Sequence, residues 1–82
     1  MKVGIAGSLE SNECIITVSE NDKLVIDITS IVDDFFHDQI EKVIKDTLKE
    51  KNIKNIKVEC KDKGALDYTI KSRLVTAIER MK

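Results

Sequence analysis

The sequence is poor in aromatic residues and has neither a long apolar run nor a strong net charge. It contains no tryptophan, one tyrosine and two phenylalanines, and its 14 basic residues are balanced by 15 acidic ones. A nucleic-acid-binding protein needs a basic face with stacking aromatic side chains, and this composition offers neither. No apolar stretch approaches the roughly 18 residues of a membrane-spanning helix. The sequence therefore predicts no nucleic-acid partner and no membrane span.

Cysteine and histidine are also scarce, with two cysteines and one histidine in 82 residues. Two cysteines and one distant histidine are too few for a zinc site and make no disulfide framework, so we predict no metal. Cys14 and Cys60 fall on the apolar side of predicted strands, which favours buried structural thiols. Reduced thiols and too short an apolar stretch at the N-terminus for a signal peptide predict a cytoplasmic protein. A small enzyme that uses Cys14 or His37 stays open as an alternative, although neither residue has an identifiable catalytic partner.

Length and composition predict one domain over residues 1–82. Proline is absent, glycine occurs three times, and no repeat, low-complexity tract or linker interrupts the chain. A domain of this length buries roughly 60–65% of the surface of its unfolded chain. It can fold alone, but it has little room for an enclosed active site.

Alternating apolar residues predict strands with one buried face. Three segments alternate clearly, and each has its own apolar side. The apolar sides are formed by Cys14, Ile16 and Val18 in the first segment, by Leu24, Ile26 and Ile28 in the second, and by Ile56, Val58 and Cys60 in the third. A weaker strand runs from Lys2 to Leu9, with Val3, Ile5 and Leu9 on one side, and it reaches the next strand through residues 10–13. The Asn-Asp centre of residues 20–23 predicts a hairpin turn between the next two strands.

Two segments have helical spacing and supply the cover that such strands need. Their apolar stripes are Val32, Phe36, Ile40, Val43, Ile44 and Leu48, and Leu66, Ile70, Leu74, Ile78 and Met81. Ser30, followed by Asp33 and Asp34, is a candidate N-cap of the first helix. The predicted fold is an α+β two-layer sandwich. A mostly antiparallel sheet of three to four strands, in the order strand-strand-strand-helix-strand-helix, is covered by two helices.

The segment Ala6-Gly7-Ser8-Leu9-Glu10-Ser11 is a run of small residues that ends in a polar turn. On composition alone it is a loop that exposes a hydroxyl. It resembles the Ala-Gly-Thr-Leu-Glu-Ser attachment sequence of the citrate lyase acyl carrier protein family, the γ subunit of bacterial citrate lyase. Ser11 aligns with the serine that carries the prosthetic group, and Ser8 replaces the usual threonine.

A second motif supports the resemblance. Asp62-Lys63-Gly64-Ala65-Leu66-Asp67 is similar to a stretch of the same family, and the Arg73-Leu74 pair follows it as in that family. Tyr68 departs from the pattern, because the family often has cysteine there. The chain also ends at Lys82, where many members of the family continue, which leaves the expected carrier role unchanged.

The resemblance implies a non-catalytic carrier. Ser11 would hold 2'-(5''-phosphoribosyl)-3'-dephospho-CoA through a phosphodiester, and the thiol of this arm would carry acetyl and citryl groups as thioesters. The implied partners are the α subunit (acyl transferase), the β subunit (citryl lyase) and the prosthetic-group transferase. Lys63 and Gly64 would lie in an exposed loop with Asp62 and serve docking or the arm. A citramalate lyase carrier and an α+β interaction domain without a prosthetic group remain alternatives.

Overall fold

The computed structural model describes residues 2–31 and 34–81, which form a four-stranded sheet and two helices. The elements in chain order are β1 (Val3–Gly7), β2 (Cys14–Glu20), β3 (Val25–Ser30), α1 (Asp34–Glu50), β4 (Ile56–Asp62) and α2 (Asp67–Arg80). The α+β class and the order of strands and helices are therefore confirmed. Among the described residues, no helix combines the length and apolarity that a membrane crossing requires.

The sheet has the order β1-β2-β4-β3, in which the last strand of the chain lies between β2 and β3. β2 is antiparallel to both of its neighbours, whereas β3 and β4 are parallel and are joined through α1. The predicted hairpin between β2 and β3 is wrong, although Asn21 does close a local turn through its hydrogen bond to the Lys23 carbonyl (2.8 Å). The inward residues of β2 and β4 are fully buried and those of β3 only half-buried, as expected for two central strands and an edge strand.

β1 turns its larger side chains away from the helices. Gly4 and Ala6 face inward and are buried, while Val3 and Ile5 are 41% and 49% exposed. The reason is the close approach of α2, because a Cβ on Gly4 would lie 1.8 Å from the Ala77 carbonyl oxygen. The small residues of β1 therefore mark the contact with α2 rather than a weak strand.

The core lies between the sheet and the two helices. α2 contacts β1 and β2, α1 contacts β3, and the helices contact each other. The buried apolar residues are Ala6, Cys14, Ile16, Val18, Ile40, Ile44, Leu48, Ile56, Val58, Cys60, Ile70, Leu74 and Ala77. The predicted stripes are confirmed in their middle parts but not at their starts, since Phe36 is 48% and Leu66 59% exposed. Val32 and Asp33 lie outside the described residues.

Candidate functional site

The two sequence motifs lie side by side at one end of the sheet. Residues 8–13, here called the serine turn, connect β1 to β2, and residues 62–66, the motif loop, lead from β4 into α2. The Asn12 amide donates to the Lys63 carbonyl (2.8 Å), and the Lys63 amide donates to the Glu13 carbonyl (2.8 Å). Segments about 50 residues apart in the chain are thus joined by a pair of backbone hydrogen bonds.

The conformation of the serine turn is fixed by residues that accept a positive φ. Gly7 has φ +101°, and a Cβ there would lie 1.9 Å from the Cys14 carbonyl oxygen. Asn12 has φ +63°, in the left-handed region that asparagine tolerates better than most residues. The Ser8 amide donates to the Cys14 carbonyl (3.0 Å) and closes the base of the turn. Ser11 at the tip is therefore presented on a defined backbone.

The two serines of the first motif differ in their surroundings. Ser11 is exposed, and its hydroxyl has no hydrogen-bond partner among residues 2–31 and 34–81. Ser8 is half-buried, and its Oγ accepts a long hydrogen bond from the Glu10 amide (3.4 Å). Of the two hydroxyls, that of Ser11 is the more accessible to another molecule.

An ion pair ties the serine turn to α2. Arg73 donates from Nε to Glu13 Oε1 (3.1 Å) and from an Nη to Oε2 (2.8 Å), which is the bidentate geometry of a guanidinium on a carboxylate. This hydrogen bond, and a second from the Cys14 amide, hold the pKa of Glu13 below its ordinary value. From the sequence, Glu13 is predicted only to lie in the connection between the first two strands. In the sequence, Arg73 stands out only as part of the Arg73-Leu74 pair of the second motif.

Asp62 organises the motif loop from a buried position. It is 3% exposed and accepts hydrogen bonds from the Ser30 hydroxyl (2.8 Å), the Gly64 amide (3.1 Å) and the Ala65 amide (2.9 Å). Gly64 has φ +91°, in the region that glycine adopts without steric cost. The expected exposed loop is wrong for Asp62, which ends β4, and Lys63 and Gly64 are half-buried. The loop is held against the serine turn, and this contact covers part of it.

The predicted N-cap role of Ser30 depends on residues 32 and 33, which lie outside the described residues. Ser30 is the last residue of β3, and α1 begins at Asp34. Its hydroxyl donates to Asp62 Oδ2, so Ser30 makes a contact with the neighbouring strand β4. A serine before a helical stripe does not by itself distinguish these two uses, because the hydroxyl satisfies either partner.

The remaining candidates are the thiols of Cys14 and Cys60 and the imidazole of His37. Cys14 and Cys60 are free and buried, which confirms the predicted burial. A hydrogen bond with Cys14, together with burial, raises the pKa of the Cys60 thiol, which therefore stays protonated. His37 is half-buried on α1. Residues 2–31 and 34–81 hold no cluster of three histidine, cysteine or acidic side chains arranged for a metal ion.

The chain matches the acyl carrier (ACP) family model described as malonate decarboxylase delta subunit (MdcD) over residues 1–81. It is 50% identical to the citrate lyase acyl carrier protein of Oenococcus oeni over 80 residues, which are 96% of this chain and 82% of the relative. It is 44% identical to the protein of the same name from Streptococcus mutans over 81 residues, with 96% and 79% of the two chains covered.

A solved structure has the same fold at low sequence identity. It is a chain in the crystal structure of a Pseudomonas malonate decarboxylase hetero-tetramer in complex with malonate, with a TM-score of 0.79 and 15% identity. The match covers 94% of this chain and 80% of that one. At this identity the likeness concerns the fold alone.

Proposed function

Because the chain belongs to the family of citrate lyase acyl carrier proteins, we propose that it is the acyl carrier subunit of a citrate lyase, with residues 1–82 as its carrier domain. In this role the chain performs no acid or base chemistry itself. It presents a tethered acyl group to the active sites of other subunits, and tethering raises the effective concentration of that group at each site.

We propose Ser11 as the attachment residue. The observation that carries this assignment is its exposed hydroxyl, without a hydrogen-bond partner among the described residues, at the tip of a turn that is itself held in place. An attaching enzyme must reach this oxygen, and the arm must be able to move once attached. A turn at the end of a sheet meets both needs, whereas an inward position on β1 or β2 would meet neither.

The proposed prosthetic group is 2'-(5''-phosphoribosyl)-3'-dephospho-CoA, and the site fits it chemically. The Ser11 hydroxyl is free to supply the oxygen of a phosphodiester, and nothing in the serine turn has to be displaced. When attached, the group supplies a terminal thiol that holds acetyl and citryl groups as thioesters. The contribution of the chain is to fix the base of the arm through the backbone of Asn12 and the ion pair of Glu13.

The proposed partners are the α subunit, an acyl transferase, the β subunit, a citryl lyase, and the transferase that attaches the arm. Lys63 and Gly64 adjoin the serine turn, so they belong to the surface that any enzyme acting near Ser11 approaches. Lys63 makes no ion pair with a described residue, which leaves its ammonium group for a phosphate of the arm or an acidic partner. We propose both residues for this docking role.

Malonate decarboxylase is the competing assignment, because the matching family model and the similar solved structure carry that name. The 50% identity to a citrate lyase carrier, against 15% to the malonate decarboxylase chain, supports the citrate lyase assignment. Reconstitution with purified citrate lyase α and β subunits tests the choice. Cleavage of citrate supports the proposal, while activity only with citramalate lyase or malonate decarboxylase subunits assigns the carrier to that complex.

The attachment is tested by the intact mass of the protein purified from its native host. We expect the mass of the unmodified chain plus that of the prosthetic group, and the peptide that contains Ser11 should carry the adduct. Ser11→Ala should abolish the adduct, and Ser8→Ala, the matched control three residues away, should retain it. The reverse result would assign the arm to Ser8. An unmodified chain in a host that is growing on citrate would favour an interaction domain without a prosthetic group.

A further inference from the structure

An exposed groove lies between the beginnings of the two helices, next to the motif loop. It has a volume of about 530 Å³ and is lined by Phe36, Gln39, Ala65, Leu66, Asp67 and Tyr68. Its two aromatic side chains are largely exposed, Phe36 at 48% and Tyr68 at 72%. A smaller recess of about 180 Å³ shares most of these residues and extends the groove to Asp62 and Gly64. The groove thus runs from an aromatic mouth towards the serine turn.

One polar side chain of the groove has a fixed orientation. Gln39 Nε2 donates to Asp67 Oδ2 at 2.7 Å, and since a carboxylate only accepts, this bond identifies which end of the amide is nitrogen. The second N–H and the carbonyl oxygen of Gln39 remain available. A glutamine amide with both groups free pairs in a bidentate manner with N6 and N7 of adenine. Aromatic side chains beside it supply the surface on which a base stacks.

The groove is within reach of an arm that starts at Ser11. Asn12, the next residue, is hydrogen-bonded to Lys63, two residues before Ala65 of the groove. The path from the Ser11 Cα through that hydrogen bond to the Ala65 Cα is at most about 15 Å by standard backbone dimensions. The adenosine of the proposed arm is separated from Ser11 by one phosphoribosyl unit. It is therefore the first aromatic part of the arm to come near the groove.

The charge of the groove lining also favours the adenine part of the arm. Among the described residues, the only ionisable groups that line the groove are the Asp67 carboxylate and the Tyr68 phenol, and no lysine or arginine lines it to receive a phosphate. The phosphodiester and diphosphate are anionic and are repelled by Asp67, whereas adenine is neutral. We propose that this groove binds the adenine ring of the arm, stacked on Tyr68 and paired with Gln39. This inference rests on the proposed function and adds to it a docking site for the base of the arm.

Such docking would divide the arm into a fixed part and a moving part. With adenine held, the diphosphate and pantetheine portions beyond it still swing, while the segment next to Ser11 does not. Stacking on Tyr68 is a property of this chain, since the family often has cysteine at the position. A weak site is sufficient, because the covalent tether supplies a high effective concentration of the base.

The composition of the chain provides a direct test. Tyr68 is the only tyrosine and tryptophan is absent, so intrinsic tyrosine emission reports on the groove alone. The experiment compares holoprotein, its arm verified by intact mass, with the unloaded chain. We expect emission to fall by roughly half or more on loading, since base–aromatic stacking favours the docked state about fivefold or better. Equal emission from both forms, with the arm present, overturns the groove inference and leaves the carrier proposal standing.

Two leucine variants on α1 separate docking from quenching by mere proximity. Gln39→Leu removes the pairing amide but leaves the arm attached, so the loaded variant should regain much of the lost emission. Lys42→Leu places the same residue on an exposed part of α1 outside the groove and should behave as the unsubstituted protein. Emission that is lost equally in both loaded variants overturns the proposal. So does emission that is unchanged by loading and falls only when partner subunits are added, because a partner then occupies the groove.

Discussion

The two ends of the sheet are built differently. At the serine end, hydrogen bonds join residues far apart in sequence: Glu13 to Arg73 over 60 positions, Ser30 to Asp62 over 32 and Gln39 to Asp67 over 28. At the opposite end, here called the lysine end, the turn after α1 is closed by bonds that span five residues or fewer, such as that from the Ile53 amide to the Leu48 carbonyl (2.9 Å). Long-range bonds fix the position of a loop relative to the whole fold, whereas local bonds fix only its shape.

The lysine end has a pocket but few specific contacts. This pocket has a volume of about 280 Å³ and is lined by Leu24, Lys45, Leu48, Lys49, Asn52, Ile53 and Lys54. The chain leaves α1 after Glu50, and Asn52 has φ +58° in the turn that follows. Lys49 and Lys54 make no ion pair with a described residue, and Lys49 suits the negative end of the helix dipole. The side-chain hydrogen bonds that span 28 to 60 positions thus lie at the serine end, and we expect this end to be the more rigid.

The largest effect is expected from Asp62→Ala. It leaves the Gly64 and Ala65 amides and the Ser30 hydroxyl without their acceptor, and we expect a loss of about 3 kcal/mol in the free energy of unfolding. Urea denaturation measures it. Asp22→Ala, an exposed aspartate in the β2–β3 connection, is the matched control and should change stability by no more than about 0.5 kcal/mol. Equal losses would mean that the ends do not differ in rigidity.

A smaller loss is expected from Cys60→Ala, in the core layer beneath the serine turn. The thiol is 1% exposed, and its removal leaves a small cavity that should cost about 1–2 kcal/mol in urea denaturation. Loading of Ser11 should persist wherever the variant is folded, since no function is assigned to the thiol. In the unsubstituted protein a thiol reagent should react only as fast as the chain opens. Rapid labelling of the native state would contradict the burial of Cys14 and Cys60.

The Glu13–Arg73 pair should make stability depend on pH. The folded-state pKa of Glu13 is lowered, so the pair stabilises the fold above the ordinary value of 4.5, and this contribution disappears as pH falls through the folded-state pKa. Arg73→Met should therefore weaken the acid dependence of unfolding and speed hydrogen exchange at the Asn12 amide. Lys42→Met removes the comparable partner of Asp46 on α1, and it should leave Asn12 exchange unchanged. Faster exchange in both variants would contradict a specific tie.

The smallest effect on stability is expected from charge reversal at two lysines that make no ion pair with a described residue. Lys63→Glu and Lys54→Glu should each change the free energy of unfolding by no more than about 0.5 kcal/mol. Only Lys63→Glu should weaken assembly with the catalytic subunits or slow acyl transfer, and the defect should vary with salt. Binding measured by titration at two ionic strengths compares them. Normal assembly and transfer in Lys63→Glu at low salt would remove the docking role.

Periodicity predicted every strand and helix, but it did not predict which strands are neighbours. Alternation in β2, β3 and β4 identifies a buried face, and that information is the same whether β2 pairs with β3 or with β4. The turn residues at 20–23 predict a hairpin between β2 and β3. In the structure β4, whose inward residues are fully buried, lies between these two strands. β1 was difficult for a related reason. The inward residue that contacts α2 is Gly4, and a glycine does not mark a buried face by its hydropathy.

The site was predicted only as far as motif resemblance reaches. The resemblance points to Ser11 and the motif loop, and the backbone hydrogen bonds of Asn12 and Glu13 join the serine turn to that loop. The roles of Glu13, Arg73 and Asp62 were not predicted, because Glu13 meets Arg73 over 60 positions and Asp62 meets Ser30 over 32. In the sequence they are ordinary charged residues. Only the topology shows which charge meets which.

The sheet order also sets the time at which the proposed attachment residue, Ser11, gains its complete surroundings during synthesis. β4 occupies the second position from the β3 edge, yet it is the last strand to leave the ribosome, and Arg73 follows later still. A nascent chain that has completed β1, β2 and β3 lacks the Lys63 backbone and the guanidinium that hold the serine turn. An attaching enzyme that recognises the assembled turn would therefore ignore growing chains and truncated products. The arm would be added only to carriers that have finished folding.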